Sequence, residues 1–291
     1  MKTINDCLKL IATDCGWKYI TYDNGKLIQL INREGQSVAV YDHFFPLNSD
    51  TTARICDDRS LKCKLLKKAG ILCDENYEIA FTSRSRLLAD LEPMLEKYGE
   101  LILKSNYRRD KFITKISGKN ELEQFVNTKH KFDTVLVNQY IKYEHFYSVF
   151  IVGGIAELIV EYSKPQIIGD GISAIWELLS LANITTYDEN IDLNKVLERG
   201  EVLNTSWQIK ATDSKIKVVD DNEIIKKLST LSLSASRVLG MTTGTIDIYK
   251  QDGQYFIQSI DTSLNADLLL NDTANQFRVI RLYEKAVRLL I

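Results

Sequence analysis

Histidine and proline are scarce in this sequence, with three of each, and cysteine is confined to the first quarter. The five cysteines (Cys7, Cys15, Cys56, Cys63, Cys73) are odd in number and form no CxxC pair, so with so few histidines a Cys/His zinc cluster lacks ligands at the right spacing. They read instead as reduced, partly buried thiols, which sets the expectation of a reducing compartment. No run of about 18 apolar residues occurs, which argues against a membrane span. The opening, Met1 to Ile20, interrupts its apolar residues with Asp6, Lys9, Asp14 and Lys18, and lacks the basic start and apolar centre of a secretory leader. A cytoplasmic location is therefore expected. Lys and Arg (37) nearly balance Asp and Glu (39), for a net charge of −2, and no basic, aromatic-studded stretch suggests nucleic acid. Walker A, a GxGxxG after a strand and a Ser/His/Asp arrangement are all missing.

What is present is ordinary globular composition, 45% hydrophobic and 26% charged, long enough for two or three lobes. Residues 17–22 and 26–31 are β-prone runs around Asp23-Asn24-Gly25 and read as a hairpin. Asp50 opens one helical pattern that runs through Leu61, Leu65 and Leu66 to Ala69-Gly70. A helix over 87–98 stops at Gly99. Strands over 101–104 and 111–116 flank a short basic turn. A helix over 120–126 has Asn120 as its cap. Strands follow over 135–141, 147–152 and 156–160, then helices over 173–181 and 223–239. A hairpin pairs 244–249 with 255–260, and 274–290 closes as a helix. The class is α+β, with helices beside largely antiparallel sheets.

Three segments, in this order, resemble the ATP-grasp ligases, the cyanophycin-synthetase and ribosomal-protein glutamate-ligase types most of all. They are Asp58-Arg59-Ser-Leu-Lys through Gly70-Ile71; Leu136-Val-Asn-Gln-Tyr-Ile141 with Val149 to Gly154 and Gly169-Asp170-Gly171; and Gly244-Thr-Ile-Asp247 with Ser259-Ile-Asp261. The resemblance implies an ATP-grasp fold with a short N-terminal segment (1–50), a small lobe (51–135) and a large lobe (136–291). It also implies ATP and Mg²⁺ as cofactors, an amino acid or peptide substrate, and amide formation through an acyl phosphate. The short N-terminal segment implies that a second subunit or protein partner helps bind substrate.

By the same resemblance, Arg59 and Lys104 hold phosphates, Asn138, Gln139 and Ile141 receive adenine, and Glu144 reaches the ribose. Where the family has a glycine-rich loop, this chain has Ser-Asn-Tyr-Arg-Arg-Asp-Lys-Phe. Without glycines the backbone cannot approach an anion closely. Phosphate contact there falls to Arg108 and Arg109, which take the catalytic role, and to Lys111; the alternative is a solvated basic turn. Asp247 and Asp261 are the expected ligands of a single Mg²⁺, because Ser259 replaces a carboxylate and Asp261 replaces an amide. Ser148 stands where the family has an arginine, and Trp207-Gln208 replaces part of an Asn-x-Ser segment. Two readings follow: an ATP-dependent carboxylate–amine ligase with a remodelled site, or a degenerate relative that binds nucleotide or a partner without ligating.

Overall fold

The structure is a computed structural model that describes residues 3–107, 112–128 and 133–291. Arg108, Arg109 and Lys111 lie outside the described residues.

Helix α1 (Ile4–Cys15), which the sequence reading left unassigned, starts in a capping box between Thr3 and Asp6 and stops at left-handed Gly16. The expected hairpin forms from β1 (Lys18–Tyr22) and β2 (Leu27–Ile31), and β3 (Ser37–Tyr41) extends it beyond that reading. The single helix expected from Asp50 is two, α2 (Asp50–Asp57) and α3 (Arg59–Lys68). Asp58 breaks it: its backbone is extended, and its carboxylate accepts from the Leu61 N–H as the cap of α3. The periodic leucines that suggested one helix belong to α3 alone.

The small lobe comprises β4 (Tyr77–Ala80), α4 (Arg84–Tyr98), β5 (Leu101–Ser105), β6 (Ile113–Ile116), α5 (Lys119–Asn127) and β7 (Thr134–Gln139). Its antiparallel sheet has the order β4-β7-β5-β6. Helix α5 is capped at Gly118, so Asn120 lies inside it. Leu87, Leu91 and Leu95 of α4 and Leu122, Phe125 and Val126 of α5 pack onto Leu101, Leu103, Val135 and Val137. Because a strand alternates its faces, this core turns Ile102, Lys104 and Asn138 to the opposite side.

The large lobe contains β8 (His145–Val152), β9 (Ile155–Ser163), β10 (Gln166–Ile168), α6 (Ile175–Leu181), β11 (Val202–Asn204), β12 (Lys215–Val218), α7 (Asn222–Leu239), β13 (Gly244–Gln251), β14 (Gln254–Asp261) and α8 (Thr273–Arg288). Its main sheet is antiparallel, in the order β12-β9-β8-β13-β14. Phe146, Phe150 and Val152 join one core with α1, α8 and the N-terminal sheet. Tyr147, Val149 and Ile151 join another with α3 and α7. Cover on both faces accounts for the burial of β8 from Phe146 to Val152, a run without polar/apolar alternation in which Ser148 is the one small polar residue. Gly169-Asp170-Gly171 serves a turn: a Cβ on Gly169 would meet the Glu198 carbonyl oxygen at 2.2 Å, and Asp170 accepts from the Ile172 and Ser173 N–H groups.

Candidate functional site

Between the two sheets lies a cavity of about 280 Å³. The small lobe contributes Ile102, Lys104, Asn138 and Gln139, and the connection into the large lobe contributes Tyr140, Ile141 and Tyr143. Helix α3 offers Arg59, Lys62, Cys63 and Leu66, while β13 and β14 supply Asp247, Tyr249, Ile257 and Ser259. Trp207 to Lys210 close one end. The lining thus combines apolar surface with the cations Arg59, Lys62, Lys104 and Lys210 and the carboxylates Asp74 and Asp247.

Three of the four cations are held by regular elements. Lys104 is only 8% exposed, set by the β5 alternation that buries Leu103 on the other face. Arg59, in the first turn of α3, donates to the Ser105 carbonyl and, at 3.3 Å, to the Ser105 hydroxyl. Lys62 lies three residues later on the same helix face and donates to the carbonyls of Cys56 (2.8 Å) and Ile260 (2.9 Å). Near it, Cys63 Sγ and Cys73 Sγ are 3.0 Å apart as free thiols.

Asp74 is buried beside this group, and desolvation raises its carboxyl above the usual range, although Lys104 and a hydrogen bond with Tyr249 oppose the rise. Its Oδ1 has no hydrogen-bond partner among the described residues. Burial also raises the Tyr143 and Tyr249 phenols, so both stay protonated at neutral pH.

Asp247 is differently placed. Its Oδ1 accepts from Ser148 Oγ at 2.7 Å and from Lys210 Nζ at 2.5 Å, and its Oδ2 accepts from Ser259 Oγ at 3.1 Å. Asp261 does not line the cavity; its Oδ1 accepts from the Ser263 N–H at 3.0 Å. Among the described residues no group of three or more His, Cys, Asp or Glu side chains stands ready for a metal ion. A hard divalent cation takes several oxygen ligands, carboxylates foremost. The one cavity carboxylate expected to serve is engaged by an ammonium, so this donor set does not fit a protein-bound Mg²⁺.

Of the residues expected from sequence, Arg59, Lys104, Asn138, Gln139, Ile141 and Asp247 come together around the cavity, whereas Glu144 and Asp261 do not line it. Glu144 pairs with Lys250 at 3.5 Å, and Asn138 donates its amide to the Glu75 carbonyl at 2.5 Å. Sequence reasoning missed Lys62, Asp74 and Lys210. Lys62 could have been found from its spacing to Arg59. Lys210 stands in a stretch with no regular period, and only the folded chain brings it to Asp247. Among the described residues, no helix is long and apolar enough to cross a membrane.

No family profile and no curated protein matches the sequence. Solved structures do match in shape. A bifunctional glutathione synthetase from Pasteurella multocida superposes with a TM-score of 0.56 at 13% identity, covering 95% of this chain and 44% of that one. A D-alanine–D-alanine ligase from Bacillus anthracis gives 0.53 at 16% identity, over 83% of this chain and 71% of that one. The ATP-grasp ligase PsnB, complexed with a minimal precursor, gives 0.50 at 10% identity, over 83% of this chain and 63% of that one. Identities this low speak to fold alone, and that conclusion is plain: the chain has the ATP-grasp fold.

Proposed function

We propose that the cavity binds ATP and that the chain is an ATP-dependent carboxylate–amine ligase. The observation that carries this reading is the lining itself, an apolar slot between two sheets with Arg59, Lys62, Lys104 and Lys210 on its walls. Ile102, Ile141 and Leu66 suit an adenine ring, and Gln139 suits its polar edge. Arg59 and Lys104 hold the phosphates as charge-assisted donors. Arg108, Arg109 and Lys111 are assigned to the terminal phosphate.

In this reading a substrate carboxylate oxygen attacks the γ-phosphorus and ADP leaves with the electron pair of the broken P–O bond. The acyl phosphate then takes an amine at its carbonyl carbon. Phosphate departs, the amine loses a proton, and an amide remains. The protein's part is to orient these groups and to hold the developing charge with preorganised cations. The substrate class is an amino acid or short peptide, in line with the amino acid for which the D-alanine–D-alanine ligase is named. A second subunit or protein partner that helps bind substrate and a cytoplasmic setting that keeps Cys63 and Cys73 reduced complete the proposal.

The test is ADP and phosphate release with a panel of amino acids, with mass spectrometry of the product. An amide formed in step with ADP is expected; no coupled product with any carboxylate–amine pair would remove the ligase. A second reading, nucleotide binding without ligation, is favoured by one observation, the Lys210–Asp247 pair at 2.5 Å.

A further inference from the structure

Ser148, Asp247 and Ser259 stand opposite one another on three neighbouring strands, β8, β13 and β14. One carboxylate between two hydroxyls gives that row a single negative charge. Lys210 Nζ, 2.5 Å from Asp247 Oδ1, matches it one to one. Two rings further confine the ammonium, with centroids 5.3 Å (Tyr162) and 5.8 Å (Phe146) away. Both lie within the roughly 6 Å reach of cation–π attraction. Both line the cavity, and the lysine side chain is the more exposed, 32% against 13% for the aspartate.

A divalent ion at Asp247 would have to displace Lys210 and would then find serine hydroxyls on either side where a second carboxylate would be needed. We propose that the Lys210 ammonium stands in for a protein-bound divalent cation, so that the cavity takes a nucleoside triphosphate free of Mg²⁺. The metal-free triphosphate is more negative than its magnesium complex, and it suits a lining with four cations against two carboxylates. Lys210 is thereby a phosphate-binding residue whose position Asp247 fixes. This inference rests on the nucleotide site proposed above, and its test separates the two.

The full chain is titrated calorimetrically with ATP, once with Mg²⁺ in excess and once in EDTA. The expected dissociation constant in EDTA is at most about threefold above that with Mg²⁺ in excess, and a lower one fits equally. A larger loss in EDTA overturns the inference while leaving the nucleotide site standing, and no binding in either buffer overturns both. Lys210→Met keeps the apolar stem and removes the charge. It should weaken ATP binding in EDTA by about tenfold, with Mg²⁺ restoring part of the loss through the Asp247 carboxylate now released. Unchanged affinity of Lys210→Met in EDTA overturns the inference. Should that variant not fold, Mn²⁺ resonance on the unaltered chain decides. A free-ion signal left undiminished by the protein is expected, and stoichiometric Mn²⁺ uptake without nucleotide contradicts it.

Discussion

The cavity sets a lysine near an aspartate twice, and the two pairs behave differently. Lys104 acts on Asp74, which burial has stripped of water and left with one carboxylate oxygen unpartnered among the described residues. Lys210 meets Asp247, whose two oxygens accept from an ammonium and two serine hydroxyls. Burial of a charge is costly unless its hydrogen bonds are made good. Asp74 lacks that compensation, so its carboxyl is pushed up; Asp247 is fully supplied by its neighbours. Opposite charge alone therefore does not make a carboxylate comfortable. The difference lies in strand register for Asp247, which places a serine on each side, against a loop position for Asp74 between α3 and β4.

Substitutions on the two carboxylates' surroundings should accordingly move stability in opposite directions. Ser148 is fully buried, and its hydroxyl donates to Asp247 at 2.7 Å. Ser148→Ala should cost about 1.5–3 kcal/mol in urea unfolding, the worth of a hydrogen bond to a charged group. A cost below about 0.5 kcal/mol would mean that Asp247 does not depend on its hydroxyl shell.

Asp74→Asn should do the reverse and stabilise the fold by about 1 kcal/mol at pH 8, because an unmade hydrogen bond to a buried charge disappears. The sign of its pH dependence follows from the raised carboxyl. A raised folded-state value means that the neutral acid is the form the fold prefers. That preference contributes fully below the unfolded carboxyl's titration, and it is lost as pH rises through the folded value. The gain from Asp74→Asn should therefore shrink on going from pH 8 toward pH 4. Equal gains at both pH values, or a loss at pH 8, would place Asp74 in the same comfort as Asp247.

Much of this arrangement was legible in the sequence where local chemistry governs. The stop of α7 at Gly240 and the β13–β14 hairpin follow from caps and turn residues, whereas Lys104, after the all-apolar Leu101-Ile-Leu, was expected only from the family resemblance. The break at Asp58 was not legible, because a residue that can cap a helix can also sit inside one until its backbone is seen. Helix α1 and strand β3 gained their partners from α8 and from β2, contacts that no local pattern announces. For the site, the family resemblance put Asp247 and Ser259 on partner strands, and the strand register sets them opposite each other. Asp261, two residues on, does not line the cavity, and its carboxylate accepts from the Ser263 N–H. Lys210 comes from an irregular segment 37 residues before Asp247, and only tertiary structure joins them.

The claim on which the rest depends is that ATP sits between the two sheets, and calorimetric titration of ATP into the intact chain and into Lys104→Ala tests it most directly. Lys104 lines the cavity at the end of β5 and is nearly buried there. The account expects saturable binding to the unaltered chain and a loss of about 1.5–3 kcal/mol in the variant, the worth of one charge-assisted hydrogen bond. No heat and no thermal shift at millimolar ATP, or equal affinity in the variant, would contradict it.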